Sequence, residues 1–366
     1  MSELLDRLRA RLEREGLEQA VLSHPETLAH LGGFEQPFED WPVSDPFTAA
    51  PPLLVLTPND ARLVVPTFYA GAADASSLPV VVARTHAFVG TPPDAVAELA
   101  RTLEVGPGRT GVEARALPLR VAELLRERGA ELVPVDGLVV DARRRKFPVE
   151  VEAIRRASRL ADVVQQAVKD EARPGRSEAQ VAGLALAAMY REAGRRIPAV
   201  LTVTAGEATG TGGSVAGARE LREGDLVLAD TSPWIGGAWS DTANAVVVGE
   251  PSREQRRIFD AVRAALEHAI SLARPGAVAG EVDRAVREEL EGWGPTYAHH
   301  TGHGVGASWC ERPLLIPGSE DVLEEDMVLA VEPAVYREGW GGIRLEHVFV
   351  VRASGNEILT RFEHTL

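Results

Sequence analysis

The stretch 301-TGHGVGASWCERP-313 sets one histidine, His303, between Gly302 and Gly304 and places the only cysteine of the chain, Cys310, seven residues later. An imidazole with no side chain on either side can let its backbone come close to a bound group. Acids that could share such a group follow a pattern. The apolar runs LVLAD and MVLAVE end on Asp230 and Glu332; Asp241 comes eleven residues after the first, and Glu346 fourteen after the second. A carboxylate ending a buried strand costs several kcal/mol unless a counter-charge meets it. Both pairs span a short turn, so each is expected on neighbouring antiparallel strands with the acids on one face. These strands carry no lysine, and acids converging on one cleft cannot all ionise without positive charge. Several carboxylates with one imidazole suit a pair of divalent ions of the Mn, Co, Fe or Zn kind, His303 giving the nitrogen. Taken singly, a strand-end Asp is more often a turn residue and a Gly-His-Gly more often a loop.

What joins the acids is a repeat. ARPGRSEAQVAGLALAAM starts at Ala172 and ARPGAVAGEVDRAVREEL at Ala273, 101 residues on; 221-LREGDLVLAD-230 aligns without a gap to 323-LEEDMVLAVE-332, an offset of 102. Each half reads as helix, Pro-Gly turn, helix and strands. Two related α+β halves packed about an approximate twofold would face one acid pair against the other, with a ligand site between them.

Before the repeat, AVLSH at 20–24, PLLVLTP at 52–58, ARLVVP at 61–66 and LPVVVA at 78–83 alternate with helical patterns, which reads as an α/β layer. The proline- and aromatic-rich stretch 36–52 interrupts it and reads as a long surface loop, either a cover for a cleft or partner subunit or a plain connection. A long helical pattern follows DGLVVDARRRKFP, so the boundary divides residues 1–143 from 144–366. The 366 residues, 45% hydrophobic and 25% charged, are enough for two cores. A formal charge of −15 argues against nucleic acid or anionic membrane as partner and for small ligands. One cysteine makes no internal disulfide, and MSELLDRLRARLEREG is a charged amphipathic helix without the apolar segment of a signal peptide. A cytoplasmic location is expected.

PETLAHLGGF at 25–34, GVEARALP at 111–118, RRKFPVEVEAIRRA, EGDLVLAD, WSDTA, HHTGHGVG, ERP, LEEDMVLAVEPAVY and GGIRLEHVFVV occur in one order along nearly the whole chain. In these the sequence resembles the M24 peptidases, the pita-bread family, on its Xaa-Pro dipeptidase (prolidase) and aminopeptidase P branch. The resemblance implies a creatinase-like α/β N-terminal domain followed by an α+β pita-bread catalytic domain with an internal pseudo-twofold repeat. It implies five metal ligands, Asp230, Asp241, His303, Glu332 and Glu346, holding two divalent ions such as Mn, Zn or Co. It further implies hydrolysis of Xaa-Pro bonds in dipeptides or short peptides by a metal-bridging hydroxide, Glu332 relaying the proton. His299 matches a histidine near the substrate's proline side, or is a packed loop histidine. Arg344 matches an arginine near the cleft, or is a structural partner for its acids. Trp309 and Trp239 line a hydrophobic pocket or belong to the core. A homodimer is expected from the resemblance alone.

The chain departs from this pattern in two places. Where the family has a second histidine donating to the substrate carbonyl, this chain has Cys310, a weaker donor. Where it has Pro-His near the scissile nitrogen, this chain has Gly212 and Gly213; Ala238, Ala243 and Asn244 replace the family's Tyr, Thr and Arg around Asp241. Loss of one such donor costs about 2.7–4 kcal/mol in a protease. Three readings follow: an Xaa-Pro peptidase using other donors (Thr209, Thr211, His299 or a water), a metal-dependent hydrolase or lyase of a small non-peptide substrate, or a non-catalytic binding protein. Cys310 itself is either a nucleophile, which needs a base and an orienting partner, or a small residue filling vacated space.

Overall fold

The computed structural model describes residues 2–36, 50–84, 92–212 and 215–366. The stretch 36–52 lies outside the described residues except at its ends, and Gly213 lies outside them altogether. The chain divides into two compact units, Met1–Arg143 and Arg144–Leu366.

In the first unit the apolar runs pair into a six-stranded sheet in the order Val80–Ala83, Ala61–Pro66, Leu53–Leu56, Gln19–Leu22, Gly108–Val112, Ala130–Pro134. Helices Pro92–Thr102 and Leu119–Glu127 cover one face through Leu99, Ala100, Val121 and Leu125, all buried against Val21, Val55 and Val64. The motif GVEARALP has a concrete task. Glu113, buried, accepts from the backbone N–H groups of Ser23 at 2.7 Å and His24 at 2.8 Å and from Thr27 Oγ1 at 2.6 Å. A carboxylate there meets the free donors and positive end of helix Pro25–Gly32.

In the second unit the repeat is visible bond for bond. Helices Pro148–Glu171 and Arg253–Leu272 both end on an alanine, Ala172 at φ −71°, ψ 80° and Ala273 at φ −71°, ψ 81°. After each, a Pro-Gly turn donates to the start of a strand segment, Gly175 N–H to Leu221 O at 2.9 Å and Gly276 N–H to Leu323 O at 2.8 Å. Helices Glu178–Ala193 and Ala279–Glu289 follow. Leu160, Val164 and Val181 of the first helix pair pack on Val203, Val227 and Ala229; Ile258, Val262 and Val282 of the second pack on Leu329, Val331 and Phe349.

Strand Leu226–Ile235 is buried on both faces: Val227 and Ala229 lie in the first core, Leu226 and Leu228 in the second. That explains its unbroken apolar run, and side-chain alternation puts Asp230 on the same face as Leu226 and Leu228. It corrects one expectation. Asp230 lies in the middle of a ten-residue strand rather than at its end. Asp241 immediately precedes strand Thr242–Val247, whose Ala243 pairs antiparallel with Asp230. In the second half Glu332 follows Val328–Val331 and Glu346 precedes His347–Val350, with Val331 opposite His347. Between them is no short turn but a separate hairpin, Ala334–Arg337 and Gly341–Arg344, which carries Tyr336 and Arg344 into the site.

Candidate metal centre

His303 is the middle residue of strand Gly302–Gly304, which runs between Glu311–Leu315 and Val328–Val331. Its glycines answer a need of the sheet itself. A Cβ on Gly302 would lie 2.4 Å from the Ala330 carbonyl oxygen, and one on Gly304 2.6 Å from that of Arg312. The neighbouring strands by themselves exclude side chains there.

The His303 ring is fully buried, with Nδ1 3.0 Å from the Gly304 carbonyl oxygen. A carbonyl can only accept, so Nδ1 carries the proton and Nε2 presents a lone pair. Nε2 has no hydrogen-bond partner among the described residues and faces Asp241 Oδ2 at 3.6 Å and Glu332 Oε1 at 3.7 Å. Burial disfavours charge on the ring, yet the Asp241 and Glu332 carboxylates outweigh it and raise the basicity of His303. The same negative field would hold a metal cation. Glu346 is 1% exposed, and neither carboxyl oxygen has a hydrogen-bond partner among the described residues. Burial first, then Asp241, Glu332 and Asp230, push its carboxyl well above the usual range.

Asp230 has a protein counter-charge, the structural partner that Arg344 was one reading of. It is ion-paired with the buried Arg344 guanidinium. Burial raises the Asp230 carboxyl, Arg344 lowers it, and Asp241 and Glu332 raise it again, to about 7. Glu332 goes the other way. Burial works against its charge, but a 2.7 Å contact from His300 Nε2 and the charge of Arg344 prevail and bring it down to about 2. Arg344 also donates to the Gly212 carbonyl at 2.8 Å and to Tyr336 Oη at 3.0 Å. Those bonds make it a brace between the Gly212 turn, the Tyr336 hairpin and Asp230.

Donor atoms of Asp241, His303 and Glu346 lie within 4.8 Å of one another, as do those of His300, His303 and Glu332. Asp230 belongs to neither set, since Arg344 holds it. His299 borders the cluster: Nδ1 contacts its neighbour's carbonyl, His300 O, at 2.7 Å, Nε2 lies 3.1 Å from Tyr336 Oη, and burial lowers its basicity. Trp309, 43% exposed, stands edge-on to the His303 ring at 5.6 Å and forms a wall over it. Trp239 stacks on the buried Trp234 at 6.0 Å. Cys310 is half-buried; burial, then Glu332 and Asp241, push its thiol up to about 11. A neutral thiol is a weak donor and a poor nucleophile. The hydroxyls considered as replacement donors are engaged, Thr209 Oγ1 donating to Gly206 O at 2.7 Å and Thr211 Oγ1 to Ala208 O at 2.8 Å.

Sequence reasoning missed two residues, His300 and Tyr336. The adjacent histidines of AHHTGHG were a signal for the first; no spacing marked Tyr336, whose place comes from the hairpin.

Residues 152–353 match the model of metallopeptidase family M24, and residues 5–145 that of the creatinase/prolidase N-terminal domain. The chain belongs to family M24. Among relatives of this M24 peptidase, the Xaa-Pro dipeptidase of Pyrococcus furiosus is 28% identical with both chains wholly covered. That of Pyrococcus horikoshii is 30% identical over 86% of this chain and 87% of its own. The crystal structure of the prolidase from Pyrococcus horikoshii superposes with a TM-score of 0.84 at 26% identity, covering 100% of this chain and 99% of the other. An Xaa-Pro dipeptidase structure from Bacillus anthracis gives 0.82 at 25% identity, with 100% and 99% covered. The fold is therefore a creatinase-like N-terminal domain followed by a pita-bread catalytic domain, and the protein is a peptidase, not a non-catalytic binding module. Among the described residues no helix is long and apolar enough to cross a membrane.

Proposed function

We propose that this M24 peptidase hydrolyses Xaa-Pro bonds of dipeptides or short peptides with two divalent ions held by Asp230, Asp241, His303, Glu332 and Glu346. One observation supports the metal part most directly: His303 Nε2 and both Glu346 oxygens are buried, without hydrogen-bond partners among the described residues, beside Asp241 and Glu332. Buried lone pairs facing carboxylates are unfavourable unless a cation lies among them, and one imidazole with carboxylates suits Mn, Co or Zn. Such ions, when bound, supply Lewis acidity and lower the pKa of water.

The chain's own groups complete the site. Glu332, ionised at neutral pH, can accept a proton. The neutral His299 keeps its Nδ1 proton on the His300 carbonyl, so its Nε2, beside Tyr336 Oη, can only accept from substrate on the proline side. Trp309 offers an apolar surface to the ring. Arg344 acts through Asp230 and not on substrate, since its terminal nitrogens are taken. The neutral Cys310 thiol leaves room for a second reading, a small non-peptide substrate on the same fold. The −15 charge and single cysteine support a cytoplasmic protein with small-molecule substrates; the homodimer rests on the family resemblance alone.

The deciding assay is metal reconstitution after chelation, across Xaa-Pro dipeptides, longer Xaa-Pro peptides and non-proline dipeptides. Asp241→Ala should lose metal and turnover while keeping its circular dichroism spectrum. Full metal content in that variant overturns the ligand assignment, and metal-bound protein inert on every peptide favours the second reading.

A further inference from the structure

Besides the four acids and one imidazole just assigned, a further imidazole nitrogen lies close against Glu332. His300 Nε2 lies 2.7 Å from Glu332 Oε1, the oxygen that His303 Nε2 approaches at 3.7 Å. The His300 and His303 rings are 4.8 Å apart at 81°, so the two nitrogens converge on that oxygen from different directions. This is not a mobile surface contact. Thr301 N–H bonds to Leu315 O at 2.8 Å and Glu332 N–H to Thr301 O at 2.9 Å, while Arg287 donates to His299 O at 2.7 Å. Those bonds fix the backbone on both sides of His300 directly across from Glu332. Ligands bound at about 2.0–2.2 Å from one ion sit roughly 3 Å apart at right angles and farther apart at wider angles. The distances found, 2.7 Å and 3.7 Å, fall on either side of that spacing. The fully buried, unpartnered His303 Nε2 completes the set.

We propose that His300 is a sixth protein ligand of the metal centre, so that the ion on the Glu332 side is held by two imidazoles. The inference rests on the metal-binding reading above. Its chemical consequence is selectivity: with two nitrogens and a carboxylate, that position favours zinc or cobalt over manganese, whereas the oxygen-rich position beside Asp241 and Glu346 suits manganese.

The test uses full-length, chelator-stripped protein and cobalt(II) as the probe, with binding followed by calorimetry and bound imidazoles counted by paramagnetic proton NMR. Wild type should take up about two cobalt ions and show two strongly shifted, solvent-exchangeable imidazole N–H signals. His300→Ala should keep its fold, lose one of those signals and bind one of the two ions about 10–100-fold more weakly. His300→Gln, which can still hydrogen-bond Glu332, should behave like His300→Ala. Two ions with a single shifted imidazole in wild type, or rescue by His300→Gln, overturns the proposal while leaving the five-ligand site intact. Failure of wild type to bind cobalt overturns both.

Discussion

In the metal-stripped protein the cluster should be a source of strain, and Glu346 is the place to relieve it. Its carboxyl is 1% exposed, has no partner for either oxygen among the described residues and is pushed well upward by burial and by Asp241, Glu332 and Asp230. Glutamine has the same shape without the charge. A buried polar group without a partner costs about 1–3 kcal/mol, and a charged one more. In a domain of this size about 2 kcal/mol corresponds to a change of roughly 4–8 °C in Tm. Glu346→Gln should therefore raise the Tm of stripped protein. The pH dependence fixes the sign. Below the ordinary glutamate range both folded and unfolded chains hold the proton, and the substitution is nearly neutral. As pH rises, the unfolded chain releases its proton while the folded chain keeps it, so wild type loses stability and the variant's advantage grows. Metal reverses the order. At about 100 times its Kd an ion adds about 2.7 kcal/mol to wild type, and the variant, with a ligand removed, should gain less. Calorimetric melting of both proteins at pH 5.5 and pH 8, with chelator and with manganese, reads all of this. A lower Tm for stripped Glu346→Gln at pH 8, or an equal manganese shift in the two proteins, refutes the reasoning.

Lys146 and Glu311 form an ion pair whose side chains are 1% and 2% exposed; Lys146→Met should cost about 3–5 kcal/mol in denaturant unfolding, and adding Glu311→Leu should recover much of it. With its thiol near 11, Cys310 should react with iodoacetamide at pH 7.5 about 100-fold more slowly than an ordinary cysteine, and fast labelling would contradict the neutral thiol. Cys310→His, by supplying a stronger donor, should raise kcat/KM on Xaa-Pro dipeptides by about tenfold or more; a fall instead would mark a pocket built for other chemistry. Burial lowers His347 to about 4; burial, then the nearby His347, lowers His364 to about 3. Both stay neutral in the fold while the unfolded chain takes up protons below about 6.5, so acid should destabilise the protein by on the order of 2 kcal/mol for each, about 4 kcal/mol together, between pH 7 and 5. His364→Gln should reduce that loss in pH-dependent melting.

The parts of the fold that could be read from sequence were those written locally. The Pro-Gly turns at Ala172 and Ala273 recur with the same caps and the same strand contacts, and the apolar runs before Asp230 and Glu332 became paired strands. What escaped depends on partners far along the chain. Glu113 stabilises a helix start some ninety residues earlier. Strand Leu226–Ile235 runs past Asp230 because strand Ala199–Ala205 pairs with it as far as Pro233, and no run of residues around Asp230 announces that. Arg344 was visible as a cation, but its brace to Gly212 and Tyr336 needed the hairpin. Of two adjacent histidines, only the fixed backbone of Thr301 shows that the second meets Glu332.

The division of acids between two halves has a kinetic consequence. Asp241 and Glu346 meet only after Glu346 N–H has bonded to Ala243 O at 3.0 Å and Thr242 Oγ1 to Glu346 O at 2.9 Å, contacts spanning about a hundred residues of chain. Such long loops close late, after much entropy has been lost. An ion therefore has nothing complete to bind while the chain is still collapsing. Unlike a zinc finger, whose metal drives folding, this protein should acquire its ions as a finished object, and they should slow its unfolding far more than they hasten its refolding.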